Sequence, residues 1–145
     1  MRHLGQNALR GNVNSDQDYY TYATSFASIG AGVEQSQSIN IETDAEFTAI
    51  KVGVAAHIAG AAQTAETRVL PLVNLSVNDA GSGRNLQNTP IPIMLLSGDG
   101  SLPFILPKPR VFQGNATINI TIANYSAATT YSDLVVALIG YKTFY

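Results

Sequence analysis

The sequence holds no cysteine and no tryptophan, and it is short of charge. Without cysteine there is no disulfide, no thiol nucleophile and no cysteine-based zinc site. Charged residues make up 12% of the 145 positions, about half the share usual in soluble domains. The net charge is −2, and no basic stripe is available to neutralise phosphates, so nucleic acid is not expected as a partner. No stretch approaches the roughly 20 consecutive apolar residues of a membrane-spanning helix. Met1, Arg2, His3, Leu4 and Gly5 lead into a polar segment and not into a hydrophobic signal core. The expectation is a chain made and folded in a cytoplasm, with no membrane partner.

What is present is apolar or uncharged and polar. Hydrophobic residues account for 46% of the chain, enough for one domain with a real core and too little length for two. Ser, Thr, Asn, Gln and Gly fill the place of the missing charges. A free monomer ordinarily carries more charge to stay soluble, so the composition points to a subunit of an assembly.

Residues 1–18 carry few apolar anchors and read either as a frayed end or as an extended N-terminal arm ordered against a neighbouring subunit. A single β domain is expected over residues 19–145. Tyr19, Tyr20, Thr21 and Tyr22 open it with strand-favouring side chains. Val33, Ile39 and Ile41 then share one parity, and Ser36, Ser38 and Asn40 the other, as in a half-buried strand. Residues 47–58 predict a longer strand, with Thr48, Ile50, Val52, Val54, Ala56 and Ile58 on one face. Residues 68–77 predict another, which Pro71 confines to an edge, an end or a bulge. Residues 90–96 read as an apolar extended segment. Ile118, Ile120 and Ile122 against Thr117, Asn119 and Thr121 give the cleanest period of two, and residues 134–141 form a near-continuous apolar strand. About eight strands at sandwich spacing, with no convincing helix, predict an all-β, two-sheet β-sandwich of jelly-roll type with an extended N-terminal arm. An immunoglobulin-like sandwich ranks second, since it lacks the cysteine pair and the tryptophan.

Residues 98–112 combine Pro103, Pro107 and Pro109 with Phe104, Ile105, Leu106 and Phe112. Proline lacks the N–H a sheet ladder needs and pushes its predecessor toward extended geometry. The stretch reads as a clasp whose apolar side chains pack into the fold, lashing one sheet to the other, while Lys108 and Arg110 face a neighbour.

The candidate chemistry is thin. Gly81, Ser82, Gly83 and Arg84 lack the lysine and the helix of a phosphate-binding loop, so Arg84 reads as a surface residue on a turn. Asp44, Glu46, Asp79 and Asp99 show no cation-binding spacing, and His3 and His57 form no metal pair. No Gly-x-Ser-x-Gly elbow is present, and nothing selects a pair of carboxylates, so a small hydrolase ranks last. Catalytic residues, cofactors and metals are each expected to be none. The Asn-x-Ser/Thr triplets at Asn74, Asn115, Asn119 and Asn124 are what strand threonines and turn asparagines generate freely. Tyr19, Tyr20 and Tyr22 suit a core or a subunit interface better than sugar stacking.

One ordered set of segments carries a resemblance. Asp79-Ala-Gly-Ser-Gly-Arg84, Pro90-Ile-Pro92, Gly98-Asp-Gly-Ser-Leu-Pro-Phe104 and Leu106-Pro-Lys-Pro-Arg-Val-Phe112 are followed by Asn124-Tyr-Ser-Ala127 and Ala137-Leu-Ile-Gly-Tyr-Lys142. Together, over residues 45–145, these resemble small structural proteins in the virions of tailed bacteriophages. The resemblance implies a non-enzymatic virion component assembled in the host cytoplasm. Among such proteins, capsid decoration or cement proteins suit the composition best: homotrimers that bind the major capsid protein on the outside of the head. The candidate subunit or capsid contacts are Tyr19, Tyr20, Tyr22, Arg84, Lys108 and Arg110. The alternative is a neck, tail or fibre component that binds host glycan.

Overall fold

The computed structural model describes residues 16–60, 68–98 and 105–145. Among them are nine strands and one helical turn: β1 (Gln17–Ile29), β2 (Glu34–Asn40), β3 (Ala45–Ile58), β4 (Val73–Asp79), β5 (Arg84–Asn85), β6 (Ile91–Pro92), α1 (Met94–Ser97), β7 (Ile105–Phe112), β8 (Thr117–Asn124) and β9 (Tyr131–Phe144). The helical turn stands where an extended segment was expected. Pro92 ends the short β6 ladder, and Leu96 and Ser97 then bond back to the Ile93 carbonyl. The N-terminal arm lies outside the described residues, apart from Asp16 and from Gln17 and Asp18, which already belong to β1.

Strand pairing is nested. β1 pairs with β9, β2 with β8, β3 with β7 and β4 with β6, all antiparallel, so that first meets last and second meets second-last. The result is two sheets, β1-β9-β3-β7 (sheet A) and β2-β8-β4-β5 (sheet B), with β6 joining β4 beside β5. This is the jelly-roll order, and the all-β sandwich expected from the alternation is the fold observed.

The inward rows follow the predicted parity in sheet B. Ile118, Ile120 and Ile122 of β8 and Val73, Leu75 and Val77 of β4 are fully buried, each contributing roughly 1.5–3 kcal/mol on leaving water. They meet Phe26, Phe47, Phe112, Leu134, Val136 and Leu138 of sheet A across the core.

In β3 the single-parity reading fails. Ala49 lies opposite Gly140 and Lys51 opposite Ile139, which leaves Ile50 as an extra residue. This bulge exchanges the faces: Phe47 and Ala49 point inward before it, Val52 and Ala56 after it. A second irregularity falls near Asp133, whose φ of 46° is tolerated by a short polar side chain.

β7 carries a larger break. Arg110 pairs with Ala49 and Ile105 with Lys51, so residues 106–109 stand off the ladder. Pro107 and Pro109 sit in this stand-off, where a missing N–H costs no ladder bond. Beyond Lys51 the free edge of β3 is covered instead by the chain before β4, with His57 bridging Arg68 and the Val69 N–H bonding the Ala56 carbonyl.

Candidate interaction surfaces

The outward face of sheet B satisfies itself. Ser36 Oγ and Thr121 Oγ1 share a hydrogen bond of 2.8 Å. Ser38 Oγ donates to Asn119 Oδ1 at 2.9 Å, Thr117 Oγ1 to Asn40 Oδ1 at 3.0 Å, and Asn78 Nδ2 to Asn85 Oδ1 at 2.7 Å. These cross-strand pairs arise because β2, β8 and β4 place Ser, Thr and Asn at facing positions of one parity.

The outward face of sheet A differs. Val135, Ala137, Ile139 and Tyr141 of the second-position strand β9 run along its middle, each half-buried. Val111 and Ile105 of β7 extend the apolar surface, and Ile105 is 68% exposed. The expectation that Ile105 packs into the fold is thus corrected, since its register partner Lys51 is on the outer face. Sequence reasoning passed over this face, although the signal was available. A strand apolar on both parities is the pattern of a sheet covered on both sides, and among the described residues β9 has a second layer on only one.

At the β7 edge an open groove of about 640 Å³ runs between the sheets. Val77, Leu86 and Leu106 line it with apolar surface, and Arg84, Lys108 and Arg110 bring three cations. Arg110 does not face outward as a free charge. Its Nη2 lies 3.3 Å from Asp79 Oδ2, and its guanidinium lies 5.7 Å from the Phe112 ring centroid. Asp79 is buried and also accepts from the Gly81 and Ser82 N–H groups and the Ser82 hydroxyl. This pair ties β7 of sheet A to β4 of sheet B, so the described part of the clasp joins the sheets, through Arg110 as well as Phe112, while Pro103 and Phe104 lie outside the described residues. Lys108 is exposed on the proline stand-off and Arg84 is exposed in β5.

The third surface is the corner where β1 begins and β9 ends. Tyr22 is in the core, edge-on to Phe47 at 4.9 Å, because its parity points inward opposite Leu138. It is therefore removed from the candidate contacts, leaving Tyr19 at 75% exposure and Tyr20 at its rim. Lys142, on the inward parity of β9, is buried with its ammonium 2.6 Å from Glu42 Oε1 and 3.8 Å from Asp44 Oδ1, and 4.3 Å from the Tyr20 ring centroid. Burial pulls the Lys142 pKa down, but the hydrogen bond that its ammonium donates to Glu42, with Tyr22 and Asp44 beside it, outweighs burial and the net direction is up. The same hydrogen bond, and then the lysine's charge, holds the Glu42 carboxyl below its ordinary range. Burial raises the Tyr22 phenol. Five of the eight carboxylate residues among the described ones, Asp16, Asp18, Glu42, Asp44 and Glu46, gather here. The Phe144 N–H bonds the Asp16 carbonyl and the Tyr145 N–H the Asp44 carbonyl, which holds the two acidic segments around the end of β9.

At the far end of the sandwich, the loop after β8 is organised by buried Asn124. Its Nδ2 donates to the Ile29 and Thr129 carbonyls, and its Oδ1 accepts from the Ser126 N–H and hydroxyl. Among the described residues no three His, Asp or Glu side chains come together to hold a metal ion. The sequence matches no known family model, and no curated protein matches it.

Proposed function

We propose that this chain is a structural, non-enzymatic protein of a tailed-bacteriophage virion. In this reading it decorates the outside of the head as a homotrimer, binds the major capsid protein and stabilises the shell. The observation that carries the reading is the apolar outer row of β9, Val135, Ala137, Ile139 and Tyr141, on a sheet with no second layer above it among the described residues. Such a face gains on leaving water, at about 25 cal/mol per Å² of apolar area. Many copies on one shell add these gains without any single contact being tight. The ordered resemblance over residues 45–145 and the low charge support the same reading, and the self-satisfied face of sheet B suits the side turned to solvent.

The test is to incubate the purified chain with phage heads that lack it, sediment the heads, and image them by cryo-EM. Hundreds of copies at regular outer-shell positions, and heads more resistant to heat or chelator, are expected. A handful of copies at the neck or tail, or adsorption of the free protein to host cells with binding on a glycan array, would replace this reading with that of a neck, tail or fibre component.

A further inference from the structure

We infer that the groove beside β7 receives the acidic corner at the start of β1 from a second copy of this chain, in a head-to-tail contact. The inference rests on the self-association in the reading above and names the surfaces that make it. Three of the six Lys and Arg among the described residues, Arg84, Lys108 and Arg110, line the groove, against one carboxylate, Asp79, which Arg110 already engages. The corner has the opposite balance, with Lys142 its one cation among the described residues, set among five carboxylates and already paired.

Asp16 and Asp18 are exposed at the start of β1, whereas Tyr19 lies on the opposite parity to Asp18, on the outer face of sheet A opposite Tyr141, with its hydroxyl accepting from Thr21 Oγ1. The groove offers Leu86 and Leu106 beneath its cations. The exposed carboxylates meet Arg84 and Lys108 in charge-assisted bonds. Pro107 and Pro109 prevent another strand from adding at this edge, so a partner here is held through side chains.

Within one molecule Asp16 and Asp18, at the start of β1, and the β7 edge sit on opposite sides of sheet A, three strand spacings or roughly 14 Å apart, beyond direct pairing. Between molecules, a contact that joins two different patches is heterologous, and it closes into a ring or runs on as a filament. A ring of three is the closed form that the proposed function calls for.

Sedimentation velocity of the full chain at ~50 and ~500 mM salt tests this, because contacts between exposed charges weaken with screening. Association is expected at the lower salt, weaker by about tenfold or more at the higher. R84E/K108E and D16K/D18K are each expected to stay monomeric where the parent associates, and D16K/D18K/R84E/K108E to associate again. Far-UV circular dichroism and melting confirm that each variant is folded. A parent that is monomeric at about 100 μM, half-swapped variants that associate like the parent, or a folded full swap that stays monomeric would each overturn the contact. Head binding is measured in parallel. Half-swapped chains that bind heads as trimers, like the parent, remove this contact and leave the virion reading standing. A parent that associates but ignores heads does the reverse.

Discussion

Sheet B turns outward a row of Ser, Thr and Asn whose hydroxyls and amides are already bonded to each other across the strands. Sheet A turns outward Val135, Ile139 and Tyr141, with Ile105 and Val111 beside them. Both faces are nearly free of charge, so composition alone does not separate them. What separates them is where their unspent interactions lie. A satisfied polar ladder gains little from a protein partner, since each of its bonds would only be exchanged for another. An apolar face in water gains with every Å² covered. The difference leaves sheet A with more to gain from being covered than sheet B.

The largest expected effect breaks sheet A itself. A Cβ at Gly140 would land on the Thr48 carbonyl oxygen, where the bulge in β3 brings two backbones together. Gly140→Val is expected to cost about 3 kcal/mol or more, read as a lower urea midpoint or as failure to fold. Next come the faces. Ile139→Lys is expected to lower head binding by about tenfold or more while costing about 1 kcal/mol of stability; Thr121→Lys, on the middle strand of sheet B, is expected to leave head binding unchanged. Equal losses from both, measured by co-sedimentation, would erase the distinction between the sheets.

A pH-dependent effect follows at the corner that closes sheet A. The folded-state pKa of Glu42 is lowered, so its contribution is full above the ordinary value of 4.5 and is lost as pH falls through the lowered one. That of Lys142 is raised, so its share is full below the ordinary 10.5 and is lost as pH rises through the raised one. The melting temperature of Glu42→Gln should therefore lie below that of the parent at neutral pH and converge with it in acid. A gap that persisted at the lowest pH would place the effect elsewhere. The smallest change is expected on sheet B, where Ser38→Ala removes one exposed cross-strand bond for about 0.5 kcal/mol, within reach of careful denaturant titration.

The sheet B strands were the legible part of the fold, because β8 and β4 keep strict alternation through their length. β3 was only half legible. Its bulge at Ile50 adds a residue without changing composition, so a parity carried across it assigns one half to the wrong face. α1 is a single turn, too short for a 3.6-residue period to register. The candidate contacts fared according to the range of their partners. Exposed Tyr19 and Lys108 stand where local sequence puts them, whereas Arg110 is held by Asp79 from 31 positions away and Tyr22 by the packing of Phe47.

The buried ammonium of Lys142 has a practical consequence for labelling. An amine-reactive reagent needs an accessible, unprotonated nitrogen, and Lys142 is enclosed by Glu42 and Tyr20 with its pKa raised, so neither condition is met at mild alkaline pH. The chain has two other lysines: Lys108 is exposed on the proline stand-off and Lys51 lies half-buried on the outer face of sheet A. Limited acylation followed by peptide mass spectrometry is expected to modify Lys108 first, Lys51 next and Lys142 last. The protein thus carries its own footprinting series, with one reporter at the groove, one on the apolar face, and a third that reacts only once the fold has opened.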